Sequence, residues 1–150
     1  IFIPGVYDKV GLIIPQLAFY NIENIALLGA NGWNSPELIR MGGKFLKSIY
    51  FVDGFYSGSH QVKVKKFVQQ FQNNYGELPS NLSAQAYDAA GIIFQAIISG
   101  GDNRLKLKNN LLKVKNYLGV TGKTDIMESG DSEKDIFTLT VRRKKFVEEN

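Results

Sequence analysis

The chain has 150 residues, enough for one compact domain or for parts of two. Cysteine is absent and His60 is the single histidine, which excludes disulfides and cysteine nucleophiles and argues against a zinc site. The net charge of +4 comes from 18 basic and 14 acidic residues without a continuous basic stripe, so no nucleic-acid partner is expected.

The first third of the chain predicts a β-α-β-α-β pattern. Apolar residues recur at helical spacing after a short buried strand, and Ser35-Pro36 is a typical helix start. Such a pattern implies a parallel sheet with right-handed crossovers. The predicted elements are strands over residues 1–3, 25–28 and 49–52, and helices over residues 7–19 and 36–47.

Three consecutive helices are predicted next, over residues 61–75, 84–98 and 105–118. Ser83 is the expected N-cap of the middle helix, and Asp88 is expected near the start of that helix, where a carboxylate is favourable. This helix is apolar on several faces, so we expect it to be buried.

The tail changes character again and predicts short antiparallel strands. Ser129-Gly130-Asp131 is a turn signal, and residues 137–141 alternate between apolar and polar side chains. Phe146-Val147 is expected to pair with that run across a turn over residues 142–145, whose type the sequence leaves open.

The most informative stretch is residues 25–37, where an apolar run ends in Gly29 and a loop leads into a helix. Trp33 is the only tryptophan and lies in this loop between Asn31 and Asn34. Loops at the carboxyl ends of parallel strands face the crevice where α/β proteins hold ligands. Two amides around an indole favour binding of a small molecule over catalysis. The alternatives are a packing role for Trp33 and turn formation by the asparagines.

Several motifs in this order resemble the C-terminal part of type I periplasmic solute-binding proteins, the leucine/isoleucine/valine-binding family. The loop over residues 31–37 is also similar to the penicillin-binding protein activator branch of that fold. No single motif is diagnostic, and the resemblance covers almost the whole chain. The motifs are residues 2–7, 28–33, 51–56, 84–90, 120–122 and 129–131.

The resemblance implies an α/β fold with flavodoxin-like lobes, in which parallel sheets are flanked by helices and two lobes close like a flytrap. The chain would be a fragment: residues 1–55 would end the second lobe, residues 56–120 would be helices returning to the first lobe, and residues 121–150 would be closing strands that cross back. Exposed sheet edges would then be covered by further chain or by another molecule, which leaves a homo-oligomer open.

The resemblance also implies which residues line the cleft. Amino-acid-binding members usually carry an acidic residue in the second loop, where this chain has the neutral Asn31; Asp53 could substitute if it faces the cleft. A simple α-amino acid ligand is therefore less favoured than in those members, and amides, peptides or other solutes stay open. The candidate ligand-binding residues are Tyr7, Asn31, Trp33, Asp53, Phe55 and Tyr56.

The leading functional hypothesis is a non-enzymatic, periplasmic or otherwise extracytoplasmic solute-binding protein. It would close around a small-molecule solute and deliver it to a membrane permease of an ABC-type importer. No nucleophile–base pair, metal cluster or cofactor loop can be assembled, so no catalytic residue, metal or cofactor is expected. No apolar run reaches the roughly 18–20 residues that span a bilayer, so this segment is not expected to insert in a membrane. The alternative is a regulatory or scaffold protein of the same fold that binds a protein partner, such as a penicillin-binding protein activator.

Overall fold

The computed structural model describes residues 1–149 as two compact units. The first unit contains Ile1–Asp53 and residues 137–149, and the second contains Gly54–Ile136. Among the described residues, no helix combines the length and apolarity needed to span a bilayer.

The first unit is a four-stranded sheet with two helices. The strand order is β1-β2-β6-β7, in which β1 and β2 are parallel and the remaining pairs are antiparallel. The helices are α1 (Tyr7–Phe19) and α2 (Pro36–Gly42), and the strands are β1 (Leu27–Gly29), β2 (Ile49–Asp53), β6 (Phe137–Arg142) and β7 (Lys145–Glu148).

The predicted β-α-β-α-β order is confirmed in the first unit, with two differences. Residues 1–3 form a single parallel bridge, Phe2 to Leu28, instead of a full strand. The second helix is shorter than predicted: α2 ends at Gly42, and a 3-10 turn follows over Gly43–Phe45. Two adjacent glycines explain the early end, because each costs about 1 kcal/mol in a helix relative to alanine.

The second unit contains three helices and a small antiparallel sheet. The strand order is β3-β4-β5, and the core groups Phe55, Val64, Phe67, Ala84 and Val120. The elements are α3 (Val62–Tyr75), α4 (Asn81–Ile98), α5 (Arg104–Leu111), β3 (Tyr117–Gly119), β4 (Gly122–Ile126) and β5 (Ser132–Lys134).

The boundaries predicted for the later helices are partly wrong. α4 begins one turn earlier than expected, because Ser80 rather than Ser83 is the N-cap and its Oγ accepts a hydrogen bond from the Ser83 amide at 3.1 Å. The helix predicted to reach Leu118 ends at Leu111, and the chain then turns through Asn116, which has a φ of 53°. Residues 117–119 pair with β4, and this cross-strand pairing replaces the helical hydrogen bonds there.

The predicted burial of α4 on nearly all faces is also wrong. Its buried positions recur every four residues, at Ala84, Asp88, Ile92 and Ala96. The next residue along, Ile93, is 42% exposed, because one face of the helix packs against its own unit and the others do not. Asp88 accordingly lies inside the helix rather than at its start.

The predicted hairpin of the tail is confirmed, with Arg142 opposite Lys145. The two residues between them, Arg143 and Lys144, both have positive φ, at 50° and 59°. Two consecutive left-handed residues give the tight connection that matches the twist of paired strands.

Candidate functional site

The carboxyl ends of β1 and β2 and the loop before α1 form one edge of the first unit. Four of the six sequence-predicted residues lie on these segments: Tyr7 begins α1, Asn31 and Trp33 follow β1, and Asp53 ends β2. Parallel strands bring such loops together at one edge of a sheet. The edge is therefore assembled from three separate parts of the sequence.

Trp33 is completely buried and supports this edge from inside. Its Nε1 donates a hydrogen bond to the Ile3 carbonyl oxygen at 3.2 Å, which ties the loop after β1 to the segment before α1. Its indole ring lies 6.2 Å from the ring of Phe51 on β2. The burial favours the packing role, and ligand contact by Trp33 stays a prediction.

Two glycines permit the close approach of these loops. A Cβ on Gly29 would lie 2.2 Å from the Trp33 ring, so a side chain there would displace the indole. A Cβ on Gly32 would lie 3.1 Å from the Gly5 carbonyl oxygen and 3.2 Å from the Val6 Cα. The loop after β1 and the loop before α1 are thus in direct contact.

A polar contact ties the same loop to β2. Asn34 Nδ2 donates to Asp53 Oδ2 at 2.8 Å, and Asp53 is only 5% exposed. The Asp53 carboxylate therefore has a protein partner in this conformation. Pairing of Asp53 with the ammonium group of a ligand stays a prediction.

Tyr7 and Asn31 are the exposed members of the predicted set on this edge. Tyr7 is 38% exposed at the first position of α1, and Asn31 is exposed at the start of the 3-10 turn Asn31–Trp33. The hydrogen bonds of the Trp33 indole and the Asn34 amide fix the backbone of the loop after β1. The side chains of Tyr7 and Asn31 therefore extend from a backbone that is held in place. Such an arrangement can present a phenol and an amide to a small ligand.

Phe55 and Tyr56 belong to the second unit. Phe55 is 3% exposed and packs edge-to-face on Phe67, with ring centroids 5.9 Å apart. Tyr56 is half-buried, and its carbonyl oxygen accepts a hydrogen bond from the Ser59 amide. Ligand contact by either residue stays a prediction.

The second unit also contains a buried carboxylate network that the sequence reasoning missed. Asp88 is 1% exposed and accepts hydrogen bonds from the amides of Val120 and Thr121, both at 2.8 Å, and from Thr121 Oγ1 at 2.6 Å. Lys134 Nζ donates to the same Thr121 Oγ1 at 2.5 Å. The signal was available: Asp88 shares the four-residue spacing of the buried α4 positions.

The pKa of Tyr117, on β3, is influenced by its surroundings and by the buried Asp88. Burial raises the pKa of the Tyr117 phenol, with further contributions from the charges of Asp88 and Tyr87.

Over residues 1–149, no group of three or more histidine, aspartate or glutamate side chains is arranged to hold a metal ion.

Several proteins of known structure share the fold of this chain. A branched-chain amino acid ABC transporter protein from Rhodospirillum rubrum is 26% identical, with a TM-score of 0.91 over 97% of this chain and 42% of its own. A leucine-binding protein from Thermotoga maritima is 29% identical, with a TM-score of 0.72 over 99% of this chain and 43% of its own.

A third structure is a branched-chain amino acid transporter substrate-binding protein from Streptococcus pneumoniae, solved in complex with isoleucine. It is 28% identical, with a TM-score of 0.69 over 99% of this chain and 44% of its own. The chain therefore spans less than half the length of each of these three proteins. A comparison with curated protein sequences gives no match.

The family model described as periplasmic binding protein matches residues 5–145, nearly the whole sequence. Together with the α/β fold of the three structures, this match confirms the resemblance seen in the sequence: the chain belongs to the periplasmic binding protein family, with the type I fold.

Proposed function

We propose that the chain is part of a non-enzymatic solute-binding protein of an ABC-type importer, located in the periplasm or otherwise outside the cytoplasm. The solute is an amino acid, an amide or a related small molecule, and a membrane permease is the partner that receives it. Family membership and the likeness to branched-chain amino acid transporter proteins support this proposal.

The observation that carries the proposal is the edge of the first unit formed by the loop before α1, the loop after β1 and the end of β2. We call it the braced edge, because hydrogen bonds link its three parts. Two part-buried hydrogen bonds join the loop after β1 to the segment before α1 and to the end of β2, Trp33 to Ile3 and Asn34 to Asp53, while Tyr7 and Asn31 remain exposed. A preorganised surface of this kind binds a ligand with a smaller loss of conformational entropy than a mobile loop. We infer that Tyr7 and Asn31 contact the solute and that Trp33 and Asp53 hold them in place.

The lobe assignment is part of the same proposal. Residues 1–55 are assigned to the end of one lobe, residues 56–120 to helices of the other lobe, and residues 121–150 to closing strands, of which β4 and β5 belong to the second unit while β6 and β7 return to the sheet of the first unit. Hinge closure about these crossings is the motion by which the protein would enclose its solute. Phe55 and Tyr56, at the first crossing, would then lie beside the closed cleft.

Asn31 bears on the ligand class. A neutral amide forms weaker hydrogen bonds with an ammonium group than a carboxylate does. We therefore infer that the solute is bound through neutral polar groups at this position, as amides and short peptides allow. An α-amino acid would need Asp53 to release Asn34 and accept the ammonium.

The test is a thermal-shift screen of the full-length protein against amino acids, amides, short peptides and aromatic acids. A ligand at 100 times its Kd stabilises the folded state by about 2.7 kcal/mol, which a melting curve resolves. Asn31→Ala should reduce the shift, whereas Asn109→Ala, at an exposed position of α5, should leave it unchanged. A flat response across the panel would contradict the proposal and favour the scaffold alternative.

A further inference from the structure

A pocket of about 320 Å³ lies in the second unit between α3 and β3. Its volume is at the lower end of the range of about 300–1,000 Å³ that small-molecule sites occupy. None of its residues belongs to the candidate site of the first unit. Its principal side chains are Lys63, Lys66, Phe67, Gln70, Tyr87 and Tyr117.

The pocket carries positive charge on one wall. Lys63, Lys66 and Gln70 are spaced three and four residues apart on α3, so they share a face of the helix. Lys63 Nζ donates a hydrogen bond to the Leu118 carbonyl oxygen and lies 5.7 Å from the centroid of the Tyr117 ring. This contact holds one ammonium group among the residues that line the pocket.

The acidic side chain that lines the pocket does not offset this charge at the surface. Asp88 is 1% exposed, and its two oxygens accept hydrogen bonds from the Val120 amide and from the amide and hydroxyl of Thr121. Its charge is therefore directed into the β3–β4 turn. The open side of the pocket is left cationic and suits an anion.

The floor of the pocket is aromatic. Phe67 is 5% exposed, and its ring centroid lies 4.7 Å from that of Tyr87, which is 51% exposed. Phe67, Gln70 and Tyr87 also line an adjoining groove that continues along α3 toward Tyr75. Aromatic rings of this kind stack on a planar ligand in offset or edge-to-face geometry.

We propose that this pocket is a second ligand site, for small aromatic carboxylates. Lys66 and Gln70, together with Lys63, bind the carboxylate, and Phe67 and Tyr87 contact the ring. Tyr117 also lines the pocket, and its hydroxyl can act as a further donor. The site does not depend on the proposed solute-binding function, because it shares no residue with the braced edge of the first unit.

The test is an amide chemical-shift titration of the full-length protein by NMR with three probes. Phenylacetate carries both the ring and the charge, phenylacetamide keeps the ring without the charge, and acetate keeps the charge without the ring. Phenylacetate should shift the amides of Lys66, Gln70 and Leu118. The other two probes should bind about tenfold more weakly, because each lacks one of the two matched features.

Two lysine variants provide the matched comparison. Lys66→Gln should weaken phenylacetate binding about tenfold, the effect expected when a charge-assisted hydrogen bond is lost. Lys65→Gln removes the same charge from the same helix, but Lys65 does not line the pocket. Lys65→Gln should therefore leave the affinity within about twofold of the parent, since exposed charges are screened by salt.

Three results would overturn the proposal. Equal weakening by both variants would mean non-specific attraction to a basic helix. Shifts confined to the amides of Tyr7 and Asn31 would mean that phenylacetate is a ligand of the first unit only. An absence of shifts up to the solubility limit of phenylacetate would mean that the pocket is not a ligand site.

Discussion

Replacing Asp88 tests how much its buried hydrogen bonds stabilise the second unit. Its carboxylate accepts three hydrogen bonds, at 2.8, 2.8 and 2.6 Å, which join α4 to the turn between β3 and β4. In Asp88→Asn the side chain keeps its size but loses one acceptor oxygen, and the new NH₂ group faces amide and hydroxyl donors. Hydrogen bonds to a charged group contribute about 1.5–3 kcal/mol each, and an unsatisfied buried donor costs about 1–3 kcal/mol.

We expect Asp88→Asn to lower the free energy of unfolding by about 2–3 kcal/mol, and Asp88→Ala to lower it by about 3–5 kcal/mol. Alanine is the more severe change because it leaves the amides of both Val120 and Thr121 without their acceptor. A domain has a total stability of about 5–15 kcal/mol, so the asparagine variant should remain folded and measurable.

The assay is urea unfolding of the full-length protein, followed by circular dichroism, with hydrogen exchange at Val120 and Thr121 as a local probe. Asp102→Asn is the control, because Asp102 is exposed and pairs with Lys106 at 3.0 Å four residues along the chain. Such a surface pair contributes about 0.3–0.5 kcal/mol. If Asp88→Asn were no more destabilising than Asp102→Asn, and the two amides kept their protection, the hydrogen bonds to Asp88 would not be a major source of stability in the second unit.

Three further outcomes are expected. Trp33→Phe should destabilise the first unit by about 2–3 kcal/mol in urea unfolding, because it removes the hydrogen bond to Ile3 and leaves a cavity in place of part of a fully buried indole; an unchanged midpoint would contradict this. Folding raises the pKa of the Tyr117 phenol, so the folded state keeps the phenol protonated more readily than the unfolded state does. The resulting contribution to the free energy of unfolding is fully present below the unfolded pKa of about 10 and is lost as pH rises through the higher folded pKa. Tyr117→Phe should therefore reduce the loss of stability between pH 9 and 11 (about one unit on either side of that pKa), and a parallel loss in both proteins would count against it. Asn31→Asp should strengthen binding of leucine but not of 4-methylpentanoate, which lacks the ammonium, by about tenfold in calorimetry; equal effects on both would exclude contact between residue 31 and the ammonium.

Local signals were sufficient to predict the order of the elements in the first unit and the starts of its two helices. Ser35 with Pro36 marked the start of α2, and the apolar spacing of residues 7–19 gave the bounds of α1. These signals depend on neighbours within one or two turns. The end of α2 required more than periodicity, because Gly42 and Gly43 stop the helix while Leu46 continues the apolar pattern.

The second unit was less predictable because tertiary contacts decide its boundaries. Residues 112–118 have a helical apolar pattern, yet residues 117–119 pair with β4, and Asn116 adopts a left-handed conformation that ends any helix. The exposure of Ile93 could not be inferred either. An apolar helix is buried only where a partner surface exists, and the sequence of a helix does not specify that surface.

The candidate site shows the same division. Strand order predicted that the candidate residues share one edge; Tyr7, Asn31, Trp33 and Asp53 lie on that edge, Phe55 and Tyr56 belong to the second unit, and ligand contact stays a prediction for all six. The orientation of each side chain was beyond the sequence. The neighbouring residues in the sequence do not indicate that the Trp33 indole points inward and donates a hydrogen bond to Ile3. They also do not indicate that the Asn34 amide donates to the Asp53 carboxylate.

The most direct test of the proposed solute site is hydrogen–deuterium exchange of the full-length protein with and without the compound that gives the largest thermal shift. If the braced edge is the ligand wall, peptides covering residues 3–8 and 29–34 should gain protection on binding. Protection elsewhere, with both peptides unchanged at saturating ligand, would contradict the assignment of Tyr7 and Asn31 as solute contacts.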